Sequence, residues 1–98
     1  MLPVHYRPGF QLDAVEIFER YEQQSTGLGQ RFLSVLKEKC DSIKNQPCSF
    51  SLIEGAVRVA PLHRFPYGVY FEVFDAELVI FAVLHLQREP STWKSYRP

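Results

Sequence analysis

The run Leu78–Leu86, which reads Leu-Val-Ile-Phe-Ala-Val-Leu-His-Leu, contains no charged residue and a single polar one, His85. It falls far short of the roughly 20 apolar residues of a membrane span and has the length of a strand. Successive side chains of a strand point to opposite faces, so Val79, Phe81 and Val83 are expected on one side and Ile80, Ala82 and Leu84 on the other. An antiparallel sheet with one wet face would alternate apolar and polar residues instead. A chain that holds this strand must cover it on both sides.

The first half of the sequence supplies cover for one side. From Phe10 to about Gln24, Phe10, Ala14, Ile17, Phe18 and Tyr21 recur at helical spacing, while Glu16, Glu19 and Glu22 form a solvated stripe with Asp13 and Arg20. Ser25-Thr26-Gly27 breaks the pattern, with Gly29 read as part of the break. Leu28, Phe32, Val35, Leu36, Cys40 and Ile43 then resume it until Asn45-Gln46-Pro47. These two helices should form a hairpin.

Beyond Pro47 the texture becomes extended. Val57–Leu62, Gly68–Phe74 and Leu78–Leu86 are rich in Val, Phe and Tyr, and Asp75-Ala76-Glu77 offers a three-residue reversal between the last two. Leu2–Tyr6, bracketed by Pro3 and Pro8, reads as a further strand of the same sheet. No linker interrupts the 98 residues, so one domain spanning 1–98 is expected. Its fold class is α+β: an N-terminal strand, a helical hairpin, then an antiparallel three-strand meander, with the helices packed on one sheet face.

The hairpin can cover only one face. On the strand Gly68–Phe74, Val69, Phe71 and Val73 share a side, which leaves Tyr70 and Phe74 beside Glu72 on the other. The chain carries eight Phe, five Tyr and one Trp, more aromatic surface than one hairpin buries. The second face either receives a partner, through Tyr70, Phe74 and Trp93, or is closed by the chain's own segment around Trp93.

Charge narrows the chemistry. Eleven Lys and Arg balance eleven Asp and Glu, so no global field gathers nucleic acid or an anionic membrane. Cys40 and Cys48 make neither a disulfide framework nor a zinc ribbon, and His5, His63 and His85 share no close ligand spacing with them, so no metal or cofactor is expected. The segment MLPVHYRPGF lacks the basic and apolar parts of a signal peptide, and a reduced, cytoplasmic chain without a membrane span is expected. Nucleophile elbows and phosphate-cradling glycine loops are absent from the sequence.

Arg58, His63, Arg64, His85 and Arg88 lie in the extended half, with Arg97 beyond them. Guanidinium groups that converge at a strand end clamp phosphate, and a histidine beside them moves protons near neutral pH, which together make a phosphodiester-cleaving site. The competing reading makes them solvated rim residues paired with Glu72, Asp75, Glu77 and Glu89.

The order of elements, with the phrases Arg58-Val59-Ala60-Pro61-Leu62-His63-Arg64-Phe65-Pro66-Tyr67-Gly68-Val69-Tyr70-Phe71 and Val83-Leu84-His85-Leu86-Gln87-Arg88-Glu89-Pro90 and the following Trp93, resembles the RelE/ParE toxin superfamily over nearly the whole chain. The phrasing is closer to ParE-like and plasmid-stabilisation members than to ribosome-dependent mRNA endoribonucleases. The resemblance implies the toxin of a bacterial type II toxin–antitoxin pair, acting on DNA gyrase if ParE-like or on ribosome-bound mRNA if RelE-like. It further implies a cognate antitoxin on the second apolar face, and a homodimer or a toxin–antitoxin hetero-oligomer. It also leaves open a degenerate, non-toxic relative that only binds antitoxin.

If the chain cuts RNA, the catalytic positions implied are Arg58, Arg64, His85 and Arg88, with Tyr96 as an extra and Glu54 as a general base. RelE-like members tend to be strongly basic. Here residues 56–98 hold five cations against four anions, one net positive charge. Phosphate affinity rises with the number of neutralised contacts, so inhibition of the ParE type is favoured over cleavage.

Overall fold

In the computed structural model, residues 2–88 and 91–96 are described; Glu89, Pro90 and Arg97 lie outside them. Strand β1 (Val4–Tyr6) leads into helix α1 (Pro8–Gln24), helix α2 (Leu28–Asn45) and a 3₁₀ turn at Pro47–Ser49. Strands β2 (Ser51–Glu54), β3 (Val57–Pro61), β4 (Tyr67–Phe74) and β5 (Glu77–His85) follow, then a second 3₁₀ turn at Thr92–Ser95. The sheet runs β1-β5-β4-β3-β2. β1 joins β5 in parallel, with Tyr6 opposite Ile80, and the other pairs are antiparallel. The doubly apolar strand thus lies inside the sheet, between β1 and β4.

The helices form for the reasons their spacing implies. Pro8 occupies the first turn of α1, where its missing N–H costs no hydrogen bond. α1 buries Phe10, Ala14 and Ile17, and α2 buries Phe32, Leu36, Cys40 and Ile43. Two residues of the supposed stripe and break have sharper roles. The Glu22 carboxylate, near the end of α1, accepts from the backbone N–H of Gly27 at 3.0 Å and of Gly29 at 2.9 Å, and so caps α2. Gly29 lies inside α2, where a Cβ would sit 2.7 Å from the Phe18 carbonyl oxygen. The hairpin closes tightly because that side chain is absent.

Two apolar clusters flank the sheet. On the helix side, Phe32 meets Phe65 and Tyr67 edge to face, with ring centroids 5.5 and 5.9 Å away, over Val69, Phe71, Ile80 and Val83. On the other side Val57, Tyr70, Val79, Phe81, Ala82 and Leu84 surround Trp93. The expected parity of β5 fails at one point. Tyr70 pairs with Ala82 but Phe71 with Ile80, so Phe81 is the extra residue of a bulge. Phe81 and Ala82 therefore both join the second cluster, and Val83 turns back toward the helices.

The meander has one strand more than its sequence pattern shows. β2 pairs antiparallel with β3 across Gly55-Ala56, and all four of its residues are exposed, which leaves no burial pattern to read. The β4–β5 reversal is also shorter than expected. Phe74 pairs with Glu77, so only Asp75 (φ 53°) and Ala76 (φ 60°) turn the chain, both left-handed as a type I′ hairpin requires.

Phe32 is fully buried, so Phe32→Ala should cost about 3–5 kcal/mol in chemical denaturation, and a midpoint near wild type would refute its place in the core. Ala76 holds a backbone conformation that suits glycine, so Ala76→Gly should raise stability by about 1 kcal/mol in the same assay. A loss would show that the turn tolerates its alanine without strain.

Candidate functional site

The four arginine and histidine positions implied by the sequence do not assemble. Arg58, half-buried in β3, donates from one guanidinium nitrogen to the Phe50 carbonyl at 2.6 Å and to the Cys48 carbonyl at 3.4 Å. Its side chain fastens the segment after α2 to the sheet. Arg64 is exposed in the loop between β3 and β4, with φ at 68°. Arg58 lies opposite Phe71 and His85 opposite Tyr67, so they differ by four positions along β4, roughly 13 Å at the rise of a strand. The additional candidates are also apart: Glu54 faces Lys94 at 3.7 Å, and the Tyr96 hydroxyl donates to Asp13 at 3.3 Å.

His85 and Arg88 do stay together. His85 ends β5 and is buried, with 8% of its surface exposed. Its Nδ1 accepts the backbone N–H groups of Gln87 and Arg88, both at 3.1 Å. A nitrogen that accepts carries no proton, so the neutral ring holds its proton on Nε2. The Tyr67 ring meets the imidazole edge to face at 5.3 Å and fixes its plane.

These residues line a cleft of about 120 Å³ together with Arg20, Tyr21 and Gln24 from α1 and Pro66 from the loop before β4. Among the described residues its polar lining consists of cations, hydroxyls, an amide and the imidazole, with no carboxylate. Burial pushes the Tyr21 hydroxyl above its usual pKa and the neighbouring Tyr67 adds to this, while Arg20 and Arg88 pull it back. Both guanidinium groups are therefore within electrostatic reach of one phenol. Arg20 also pairs with Glu16 at 3.2 Å, one turn earlier on the helix, where both side chains are largely exposed.

The proposed partner face is divided. Trp93 stacks on Tyr70 with centroids 6.2 Å apart and an interplanar angle of 14°, and each is nearly sealed by the other. The second cover of the sheet thus comes from the chain's own 91–96 segment. Phe74 remains 60% exposed beyond that cover, next to the exposed Val73. The cysteines take no part in the cleft: both are free, Cys48 is exposed, and burial pushes the Cys40 thiol up to about 11.

Arg20, Tyr21, Gln24 and Tyr67 are the cleft residues that the sequence did not single out. Arg20 looks like any cation on the wet face of an amphipathic helix, and Tyr21 reads as core. Only the packing of α1 across the end of β5 brings them beside His85.

Comparison with known proteins agrees with this architecture. The family described as ParE toxin of type II toxin–antitoxin system, parDE, matches residues 4–90. Among solved structures, a chain of a chromosomal ParDE TA system from P. aeruginosa superposes with a TM-score of 0.77 at 16% identity, covering 87% of this chain and 96% of that one. At that identity the likeness is one of fold. No curated protein matches the chain.

The two nitrogens of His85 yield a direct test. His85→Leu leaves the Gln87 and Arg88 N–H groups without their acceptor and should cost about 1–3 kcal/mol in urea unfolding. His85→Asn, whose side-chain oxygen takes the place of Nδ1, should retain most of that stability. Equal losses in the two variants would show that the turn does not depend on Nδ1.

Proposed function

The chain belongs to the ParE toxin family of type II toxin–antitoxin systems, and from that premise we propose that it arrests growth by binding DNA gyrase until a cognate antitoxin silences it. The observation that carries this reading is the family match over residues 4–90, which takes in both helices and all five strands. The geometry supports binding over RNA cleavage. A cleaving site built on Arg58, Arg64, His85 and Arg88 needs all four around one phosphodiester, whereas Arg58 serves backbone carbonyls some distance along the sheet.

We assign the protein to the cytoplasm, where gyrase works; no helix among the described residues is long and apolar enough to cross a membrane. In this reading the antitoxin contacts the exposed Phe74 and forms a hetero-oligomer with the toxin. Tyr70 and Trp93 would join that contact only where the 91–96 segment gives way.

Induced expression should stop growth, co-expression of the adjacent small open reading frame should restore it, and the purified chain should inhibit gyrase supercoiling. Normal growth despite soluble protein would refute toxicity. Arrest with unaffected supercoiling and with cuts in translated mRNA that vanish in Arg88→Ala would replace gyrase by the ribosome as the target.

A further inference from the structure

The cleft at the end of β5 gathers side chains to which inhibition of gyrase, as proposed above, assigns no role. Its donors come from three separate parts of the chain: Arg20 and Gln24 on α1, His85 at the end of β5, and Arg88 in the turn beyond it. We propose that this cleft binds a phosphate group, held by the guanidinium groups of Arg20 and Arg88 and by Nε2–H of His85.

Three features converge on that ligand. First, the donor at His85 is prearranged. With Nδ1 committed to two backbone N–H groups, the N–H of the neutral ring is on the opposite side of the imidazole from the turn, and the ring itself lines the cleft. His85 is more than nine-tenths buried, so the ring does not need to be ordered on binding. Second, among the described residues no carboxylate lines the cleft. Among the described residues Glu16 pairs with Arg20, in a bond that joins two exposed side chains and uses one of the five guanidinium N–H donors.

Third, the number of donors exceeds what a carboxylate can use. A carboxylate offers two coplanar oxygens, which a single guanidinium satisfies in bidentate fashion. Two guanidinium groups, an imidazole N–H and the Gln24 amide address a ligand with oxygens in several directions, as a phosphate has. The combined pull of Arg20 and Arg88 on the Tyr21 hydroxyl reflects the local positive potential that such an anion would meet. In a chain of zero net charge an anion is attracted by such local groupings and not by a global field.

The test is an NMR titration of the full ¹⁵N-labelled chain with inorganic phosphate, against chloride at matched ionic strength. Saturable shifts are expected at the Gln87 and Arg88 amides, which report on the His85 ring. Arg20→Gln and Arg88→Gln remove exposed side chains, so both variants should fold. Each should weaken phosphate binding by roughly tenfold, as loss of a charge-assisted hydrogen bond implies. Arg31→Gln, exposed on α2, should leave binding unchanged.

Shifts that do not saturate, or that persist with equal affinity in the Arg20→Gln/Arg88→Gln double variant, would overturn the proposal. A glutamate-rich peptide that moves the same amides at lower concentration than phosphate would also overturn it, in favour of an acidic protein segment. Replacing phosphate with a 5′-mononucleotide identifies the source: tighter binding assigns a nucleotide, and equal binding assigns phosphate alone. Gyrase inhibition and growth arrest are read separately, so failure here leaves the toxin assignment standing.

Discussion

The burial of β5 on both faces is the constraint from which the rest of the molecule follows. Eight of its nine residues are buried, and no single layer can achieve that. The helical hairpin closes one side with Phe32 and its aromatic neighbours. The other side is closed by the chain folding back, with Trp93 laid flat on Tyr70. Aromatic side chains that each contribute roughly 1.5–3 kcal/mol on burial offset the ordering entropy of this second layer, which among the described residues is formed by the short segment 91–96. Polar anchors of modest strength hold that segment in place: Lys94 near Glu54 and Tyr96 on Asp13.

The helices were legible because a 3.6-residue apolar period is a redundant signal, repeated at five or six positions in each. What stayed hidden had no such redundancy. β2 is solvent-exposed along its whole length, so nothing in Ser-Leu-Ile-Glu distinguishes a strand from a loop. The bulge at Phe81 was hidden for the opposite reason. Where both faces are apolar, slipping the alternation by one residue changes no hydrophobicity, so the sequence does not record which side each residue takes. The type I′ turn escaped because Ala76 occupies a position where glycine or asparagine would have announced it.

The site shows the same division. His85 and Arg88 are close in sequence and remain close in space, joined by the turn that bonds back to Nδ1. Arg58 and Arg64 are also close in sequence, yet Arg58 is drawn toward the backbone carbonyls of Cys48 and Phe50 while Arg64 stands in a left-handed loop position. Residue type alone suggested equal roles for the four. The partners available at each position assign different ones: a structural clamp, an exposed cation and a cleft-lining pair. Arg20 joins that pair from 65 or more residues away in sequence, through a contact no local pattern encodes.

His85 ties these levels together. One imidazole nitrogen terminates the fold's most buried strand by capping the turn after it, and the ring itself lines the cleft. The two duties are linked by geometry. Because Nδ1 holds the Gln87 and Arg88 amides, the turn that orients the imidazole also sets where the Arg88 side chain begins. A ligand that draws on Nε2–H and the Arg88 guanidinium therefore meets two groups positioned by a single hydrogen-bonded turn, and that turn is anchored to the strand whose burial organises the whole sheet. In a chain with no net charge to attract an anion from a distance, such prearrangement is the remaining route to affinity, because donors already in place lose little freedom on binding.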